Sequence, residues 1–306
     1  MKIFVSKINE SWIIDRVRSE WINNNKDLNT NFIFSSDVIW IVAPWLWKKI
    51  PKKFLKSKTV VCSIYHIDNS DKEIEDFKER DQFVNYYHVI SKTTQNQITP
   101  LTDKKIKSIP FWVDDKIFFN IPDKKLLKSN LKLNQNKFYI GSFQRDTEGS
   151  DLVSPKLIKG PDRFIKIVSE MYKHNKNIEV ILTGKRRQFL ITELNKASIP
   201  FVYFEMVNPK LLNELYNVLD LYIVSSRIEG GPQAIIECGL TKTPIISTDV
   251  GVASEILSPK SIFNMSNFIE ARADVDFAYK NSIKFNLING QKKFRNMFKE
   301  VENLFL

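Results

Sequence analysis

The feature that most constrains the fold is an alternation of short apolar runs with helical segments along most of the chain. The clearest runs are DVIWIVAPW (37–45) and TVVCSIYH (59–66), which have the length of strands and are rich in β-branched residues. Because these runs are apolar almost throughout, both faces of each strand must be covered. The pattern therefore predicts parallel sheets flanked by helices. The remaining elements of this first series are strands at 2–6, 86–91 and 105–111 and a helix at 11–24.

A second series of the same kind begins at FYIGSF (138–143). The charged and polar stretch 120–136 between the two series is interpreted as the connection between two domains. Two open parallel sheets in tandem are expected to face each other across a cleft at the carboxyl ends of their strands, where such sheets bind ligands. The predicted domains are 1–125, 126–270 and a helical segment at 271–306. The second series comprises strands at 178–184, 200–205, 219–226 and 243–249 and helices at 161–174, 188–197, 209–218 and 232–240.

The length of the apolar runs and the positions of the cysteines indicate the cellular location. The longest apolar run, Val38 to Trp47, has ten residues, about half of the ~20 needed to cross a bilayer. The first residues, MKIFVSKINE, contain no signal-peptide core. Cys62 and Cys238 both lie in apolar stretches, which is typical of reduced, buried thiols. The sequence therefore predicts a cytoplasmic protein.

The formal net charge of +11 has two interpretations. A codon bias toward A and T would raise the lysine content without any function, whereas an anionic partner, either a nucleotide or a membrane surface, would give it a role. Nucleic acid is not expected as a partner because no nucleic-acid motif accompanies the charge. Three dispersed histidines and two cysteines offer no metal-ligand spacing, so neither a metal site nor a cofactor is predicted.

The segment SSRIEGGPQAIIECG (225–239) places two carboxylates on either side of a glycine-rich turn. Gly230 and Gly231 let the backbone approach a ligand, and Pro232 suits the first turn of a helix. The amides of that turn and the helix dipole favour a phosphate. A diphosphate over the turn would leave Glu229 and Glu237 at opposite ends of the ligand, as a nucleotide-sugar requires. The alternative is an exposed Glu229 and a Glu237 that merely favours the helix.

The longer segment SSRIEGGPQAIIECGLTKTPIISTDVGVASEIL (225–257) resembles the signature of family 4 glycosyltransferases, which are retaining enzymes of the GT-B fold. VISKTTQNQI (89–98) and IPFWVDDKIF (109–118) resemble segments of the N-terminal half of that family. The resemblance implies two facing Rossmann-like domains with parallel sheets and a cleft between them. It also implies transfer of a sugar from a nucleotide diphosphate-sugar to a hydroxyl of a glycan or lipid-linked acceptor.

The resemblance also assigns roles to single residues. It implies that Glu229 contacts the transferred sugar, that Glu237 binds the ribose, and that the turn at 230–232 holds sugar and phosphate. The donor-binding residues implied in this way are Thr183, Gly184, Val207, Glu229, Gly230, Gly231, Pro232 and Glu237.

Two cations are expected to neutralise the departing diphosphate. Lys159 stands where the family has a Lys-Gly pair opening a helix, whereas the family's Gly-Arg is here Gly141-Ser142. Arg145 is the nearest replacement for the missing arginine, and its alternative is a solvated loop residue. The segment 146–156 is interpreted as an insertion between these two phosphate-binding groups.

One of the three histidines is also a candidate. His66 ends an apolar strand at a place where the family often has a histidine directed at the sugar, although a packing role is the alternative. His88, within a strand, and His174, at a polar helix end, are interpreted as structural. The first strand continues into SKINES (6–11) and lacks the family's glycine-rich loop, so the acceptor cannot be inferred.

The stretch WLWKKIPKKFLKSK (45–58) mixes aromatic residues with lysines. Such a mixture suits peripheral contact with an anionic membrane at its inner face, with Trp45 and Trp47 as apolar anchors. The alternative is a charged helix whose aromatic side chains pack inward.

Two rivals to a sugar transferase remain open at this point. One is a nucleotide-sugar hydrolase or epimerase of the same fold. The other is a degenerate GT-B protein that binds a nucleotide or a partner without turnover, an interpretation supported by the missing Gly-Arg arginine.

Overall fold

The computed structural model describes residues 1–8, 13–68, 70–149 and 151–305. The first two residues of the predicted helix 11–24, part of SKINES, Ser150 of the predicted insertion and the last residue of the segment 271–306 lie outside this description. The described chain forms two compact units, 1–112 together with 287–306, and 113–286. These bounds differ from the predicted domain bounds at 125 and 270. None of the described helices has the length and apolar character needed to span a membrane.

The first unit is built on a six-stranded parallel sheet with the strand order β2-β1-β3-β4-β5-β6. The central strands β3 and β4 are buried at every residue, as expected of a sheet covered on both faces. The predicted strands at 37–45 and 59–66 are confirmed by these two elements. The strands are β1 (Ile3–Val5), β2 (Asn29–Thr30), β3 (Val38–Ile41), β4 (Thr59–Ile64), β5 (Tyr86–Val89) and β6 (Lys105–Ser108).

Helices connect these strands. A 3-10 turn over Pro44–Lys49 and a short helix lie between β3 and β4, in the lysine-rich stretch 45–58. Ser70 and Ser91 each cap the helix that follows them by accepting a hydrogen bond from a backbone N–H of its first turn. The helices are α1 (Ile13–Asn24), α2 (Lys52–Ser57), α3 (Asp71–Asp81) and α4 (Lys92–Ile98).

The second unit repeats the architecture with a six-stranded parallel sheet in the order β12-β11-β10-β7-β8-β9. Its strands are β7 (Phe138–Ser142), β8 (Ile178–Thr183), β9 (Phe201–Phe204), β10 (Leu221–Val224), β11 (Ile245–Thr248) and β12 (Ile262–Phe263). Its helices are α5 (Lys124–Asn130), α6 (Pro161–His174), α7 (Gln188–Lys196), α8 (Pro209–Val218), α9 (Gln233–Thr241), α10 (Ala253–Ile256) and α11 (Val275–Ser282). The two parallel sheets with flanking helices confirm the predicted α/β class.

The stretch predicted as the inter-domain connection, 120–136, contains α5 and lies inside the second unit. Asp220 holds this helix in place, because its carboxylate accepts hydrogen bonds from Lys124 at 2.7 Å and Lys128 at 3.3 Å. A charged composition therefore marks a helix that is tied to the sheet by ion pairs.

The last helix, α12 (Leu287–Phe305), belongs to the first unit. Its Phe294 and Phe298 are buried against Trp21 and Trp40, with ring centroids 5.3–6.4 Å apart. Gly290 lets this helix lie close to the segment that follows β6, since a β-carbon there would lie 2.4 Å from Cβ of Trp112. Each buried phenylalanine contributes about 1.5–3 kcal/mol relative to an exposed one, so α12 is part of the core of the first unit.

Candidate active site

The candidate donor-binding residues follow the carboxyl ends of neighbouring strands in the second unit. The strands β7, β8 and β10 end at Ser142, Thr183 and Val224, and all run parallel. The loops after them therefore meet at one edge of the sheet, the edge at which open parallel sheets bind ligands.

Backbone packing holds the loop before α6 against the loop after β10. Gly160 has a φ of +63°, and a β-carbon there would lie 1.9 Å from the carbonyl oxygen of Ser225, so only glycine fits. Ser225 Oγ donates a hydrogen bond to the Gly160 carbonyl at 2.8 Å, and Arg227 N donates to the Ile158 carbonyl at 2.8 Å. These contacts place Lys159 beside Glu229.

Lys159 and Glu229 form an ion pair although they are 70 residues apart in the sequence. Nζ of Lys159 lies 2.5 Å from Oε1 of Glu229, and the two side chains are 21% and 11% exposed. Ser226 Oγ donates a second hydrogen bond to the same carboxylate oxygen at 3.3 Å. The two residues predicted to act on the diphosphate and on the sugar are thus brought together in one partly open pair.

Gln144 and Ser226 support this pair, and the sequence interpretation did not include either of them. The Gln144 side-chain amide donates to the Lys159 carbonyl at 2.9 Å and to Ser226 Oγ at 3.4 Å. A polar side chain directly after a β-strand of such a sheet was the only sequence signal for Gln144.

The turn at 230–232 is packed tightly from behind. Gly251 has a φ of +54°, and a β-carbon there would lie 2.4 Å from the Gly230 carbonyl oxygen and 2.8 Å from the Gly231 nitrogen. Pro232 directly precedes α9 and has no side-chain acceptor with which to cap the helix. A rigid glycine backbone thus precedes α9. A glycine-rich loop leading into a helix N-terminus is an arrangement that favours binding of an anion.

Glu237 lies inside α9 and is only 5% exposed. Its Oε2 accepts a hydrogen bond from Tyr216 Oη at 2.8 Å. Burial, together with the neighbouring Glu237 carboxylate, raises the pKa of Tyr216 well above its ordinary value, so the phenol remains a proton donor. Tyr216, on α8, is a further residue that the sequence interpretation missed.

The remaining candidates of the donor-binding set lie on or near β8. Thr183 ends this strand with a buried side chain whose Oγ1 has no hydrogen-bond partner among the described residues. Gly184 follows with a φ of +93°, and its carbonyl accepts a hydrogen bond from Tyr203 Oη at 2.9 Å. Val207 is half-buried in the loop between β9 and α8.

Arg145 is half-buried in the loop after β7, between Gln144 and Asp146. Asp146 pairs with Arg187, whose Nε lies 3.1 Å from Asp146 Oδ2. Nη2 of Arg187 also donates to Ser142 Oγ at 3.2 Å, so the guanidinium contacts the position at which the family pattern has its arginine. The sequence interpretation missed Arg187, because a double arginine after a strand gives no sign that one of the two is enclosed.

The Asp146–Arg187 pair is completely enclosed, with side chains 2% and 0% exposed. Removal of water raises the pKa of Asp146 to about 6 and outweighs the attraction of the Arg187 guanidinium. Burial likewise lowers the pKa of Arg187.

The predicted insertion at 146–156 closes on itself. Thr147 and Pro155 form an antiparallel bridge, and Glu148 N donates to the Ser154 carbonyl at 2.9 Å. Lys156 N donates to the Asp146 carbonyl at 2.7 Å, which joins the base of this loop to the buried ion pair.

The three histidines differ in their surroundings. His66 is half-buried just beyond the carboxyl end of β4 in the first unit. His88 is fully buried in β5, between Ser63 Oγ at 2.8 Å and the Ile109 carbonyl at 2.7 Å, and burial lowers its pKa to about 4. His174 is exposed beside Glu170 at the end of α6. No cluster of three or more His, Cys, Asp or Glu side chains suited to a metal ion occurs in the described part of the chain.

In the stretch 45–58, one tryptophan packs inward as the alternative predicted, and the other is exposed. Trp47 is buried against Phe83, with ring centroids 5.8 Å apart, so it offers no apolar surface to a bilayer. Trp45 is 47% exposed. Lys48 is neutralised by Asp76 at 2.8 Å and Glu79 at 3.4 Å.

The fold is GT-B, as solved structures that match nearly the whole chain show. The model of the family "Glycosyl transferases group 1" matches residues 154–300, slightly less than half of the chain. This matched region includes Lys159, Glu229 and Glu237. A comparison with curated protein sequences gave no match.

Anabaena Alr3699/HepE in complex with UDP is 13% identical to this chain, with a TM-score of 0.76 over 98% of this chain and 100% of its own. HepE was also solved with UDP-glucose. Sucrose-phosphate synthase (tll1590) from Thermosynechococcus elongatus is 11% identical, with a TM-score of 0.71 over 97% of this chain and 81% of its own. A glycosyltransferase from Rickettsia africae ESF-5 is 15% identical, with a TM-score of 0.67 over 98% and 84%.

Proposed function

We propose that the protein is a retaining glycosyltransferase that moves a sugar from a nucleotide diphosphate-sugar to a hydroxyl of a glycan or lipid-linked acceptor. The observation that carries this proposal is the Lys159–Glu229 pair beside the Gly230–Gly231 turn, within the region that matches the glycosyl transferases group 1 model. A cation, a carboxylate and a fixed glycine backbone then converge at the edge where a diphosphate and a sugar would lie.

Each residue has a role in this proposal. Glu237 accepts hydrogen bonds from the ribose, and the backbone of Gly230 and Gly231 holds the phosphates. Lys159 leaves its ion pair with Glu229 and pairs with the diphosphate, because negative charge develops on the diphosphate as its bond to the sugar breaks. Glu229 is then available to a hydroxyl of the transferred sugar.

Arg145 supplies a second cation in the proposed reaction. No separate base is part of the mechanism. The acceptor hydroxyl attacks on the face from which the diphosphate leaves: its oxygen bonds to the sugar as the sugar–phosphate bond breaks, and its proton passes to the departing diphosphate. The cations of the chain stabilise the leaving group, so the proposal involves no metal or other cofactor. His66, at the carboxyl edge of the first sheet, is proposed to contact the sugar.

A uridine nucleotide is the first donor to test, since HepE was solved with UDP and with UDP-glucose. Thermal shifts measured with UDP, GDP, ADP and CDP would identify the base. Nucleotide-sugars carrying that base would then be incubated with and without glycan and lipid-linked acceptors. The anomeric configuration of any product would be read by NMR.

The results separate the proposed function from its rivals. Acceptor-dependent release of the nucleoside diphosphate with retention supports the proposal. Release without acceptor indicates a hydrolase, and a changed sugar that stays on the nucleotide indicates an epimerase. Nucleotide binding without turnover of any donor indicates a degenerate binding protein.

We further propose that the protein is cytoplasmic and contacts the inner face of the membrane through residues 45–58. Exposed Trp45 and exposed Lys49 and Lys53 support this proposal, whereas buried Trp47 does not contribute. Co-sedimentation with anionic vesicles is expected to weaken as salt rises. Trp45→Ala should remove the vesicle binding that persists at high salt, because that residual binding is apolar. Equal sedimentation of this variant and the wild type would contradict the contact.

A further inference from the structure

A pocket of about 460 Å³ lies at the amino edge of the first sheet. Lys58, Asn85 and Lys104 line it, and each directly precedes a strand, namely β4, β5 and β6. Lys52 and Lys56 of α2 contribute to its wall. Open parallel sheets usually bind ligands at the carboxyl edge, so a concave site at the amino edge is unrelated to the proposed donor site.

The lining of this pocket is positively charged. Four lysines, Lys52, Lys56, Lys58 and Lys104, are joined by the neutral amides of Gln82 and Asn85, and no carboxylate lines it. Four like charges around one concavity repel one another and raise the local concentration of anions. Such an arrangement favours binding of an anion in the pocket.

Carboxylates do exist nearby, but they are not directed to these lysines. Asp81, at the end of α3, accepts a hydrogen bond from Thr102 Oγ1 at 2.7 Å. Asp103 is exposed and is not part of the lining, although it is adjacent to Lys104.

Neighbouring Lys48 provides an internal contrast. Its ammonium group is paired with both Asp76 and Glu79. Within the described part of the chain, no ion pair neutralises Lys52, Lys56 or Lys104, and Lys58 Nζ donates only to the Phe34 carbonyl at 3.1 Å. The fold therefore supplies counter-charges to a lysine outside the pocket and leaves those inside it without them.

We propose that this pocket binds a phosphate-bearing ligand, either the headgroup of an anionic phospholipid or a free phosphorylated compound. Lysine ammonium groups provide the charge, and the side-chain N–H of Asn85, which lines the pocket, provides a hydrogen-bond donor. Asn85 is held in place because its Oδ1 accepts from Val60 N at 2.8 Å. A phosphate carries up to two negative charges and three acceptor oxygens, compared with one charge and two oxygens for a carboxylate, so it can pair with several of these lysines at once.

The test compares a pocket variant with a surface variant of equal charge. The pocket variant carries Lys52→Gln, Lys56→Gln and Lys104→Gln. The control carries Lys26→Gln, Lys72→Gln and Lys78→Gln, which are exposed lysines of the same unit outside the pocket. Inorganic pyrophosphate is titrated into each protein by calorimetry, and vesicles of phosphatidylcholine with and without phosphatidic acid are tested by co-sedimentation.

The wild type and the control should bind a probe that the pocket variant binds at least about tenfold more weakly, because the variant lacks three of the four lysine charges in the pocket. Loss confined to vesicles identifies a lipid headgroup when a Lys49→Gln, Lys53→Gln variant, changed in the stretch 45–58 but outside the pocket, keeps its vesicle binding, and an equal loss in that variant would overturn the lipid form of the proposal. Loss confined to pyrophosphate identifies a free ligand. Equal binding of every probe by the pocket and surface variants would overturn the proposal, as would the absence of binding by the wild type.

Discussion

The Asp146–Arg187 and Lys159–Glu229 ion pairs both lie at the carboxyl edge of the second sheet, and they differ mainly in their access to water. Asp146 and Arg187 are 2% and 0% exposed, whereas Lys159 and Glu229 are 21% and 11% exposed. An enclosed pair cannot exchange its partner for a ligand, because each separated charge would remain in a medium of low dielectric. A partly open pair can, since water and an incoming diphosphate replace the lost partner.

The enclosed pair therefore stabilises the loops at this edge of the sheet, whereas the partly open pair is proposed to take part in the reaction. Arg187 joins the end of β7, through Ser142, to the base of the 146–156 loop, through Asp146. It thereby fixes the loop that carries Gln144 and Arg145. Lys159 and Glu229, held by that loop and its neighbours, are the groups proposed to meet the substrate.

The largest effect should come from breaking the enclosed pair. Arg187→Met leaves the Asp146 carboxylate buried without its cation, which typically costs about 3–5 kcal/mol. Urea unfolding of the variant, compared with wild type and with the exposed-site control Lys185→Met, measures the loss. A free energy of unfolding within about 1 kcal/mol of wild type would show that the enclosed pair is not a scaffold.

Breaking the open pair should affect turnover rather than stability. Lys159→Gln is expected to lower the rate by about 10²–10³, because the departing diphosphate loses one stabilising cation. Its free energy of unfolding should change by less than about 1 kcal/mol. Lys166→Gln on α6 is the matched control, and a Lys159→Gln protein that turns over normally but unfolds easily would reverse the comparison.

The two glutamates sharpen the comparison further. Glu237→Gln should weaken binding of the nucleoside diphosphate, because each lost charge-assisted hydrogen bond costs roughly 1.5–3 kcal/mol. Glu229→Gln should lower turnover and leave that affinity nearly intact. Calorimetric titration of both variants checks these outcomes, and an equal loss of affinity in both would reject the roles assigned to them.

The smallest effect is a pH dependence of stability that belongs to the enclosed pair. The folded-state pKa of Asp146, about 6, lies above its ordinary value of 3.8, so between these values the folded protein binds more protons than the unfolded one. Stability contributed by this group therefore rises as the pH falls from about 6 to about 4, by on the order of 2 kcal/mol. Asp146→Asn should lack this rise, and parallel pH curves for the variant and wild type would contradict it.

The sequence predicted the sheets because their strands are long apolar runs. It did not indicate β2 (Asn29–Thr30) or β12 (Ile262–Phe263). A strand of two residues is too short to show an apolar pattern, and only its hydrogen bonds to the neighbouring strand define it. The stretch 120–136 was interpreted as a connection because charge is typical of linkers, yet Asp220 pairs its lysines and makes α5 part of the second unit.

At the site, the sequence indicated Glu229, Glu237 and Lys159 individually through the motif that carries them. It could not indicate that Lys159 would pair with Glu229, because that contact depends on the approach of Gly160 to Ser225 in the folded unit. Arg187 was missed for a similar reason, since a double arginine after a strand is typical of an exposed loop. Only packing shows that one of the two is enclosed.

The return of α12 to the first unit has a consequence for synthesis. Residues 113–286 form one uninterrupted stretch, so the second unit can complete its core while the chain is still emerging from the ribosome. The first unit cannot complete its core at that stage, because Trp21 and Trp40 pack against Phe294 and Phe298 of α12, which is synthesised last. Until α12 is synthesised, the sheet of the first unit has an exposed aromatic face, the kind of surface that chaperones bind.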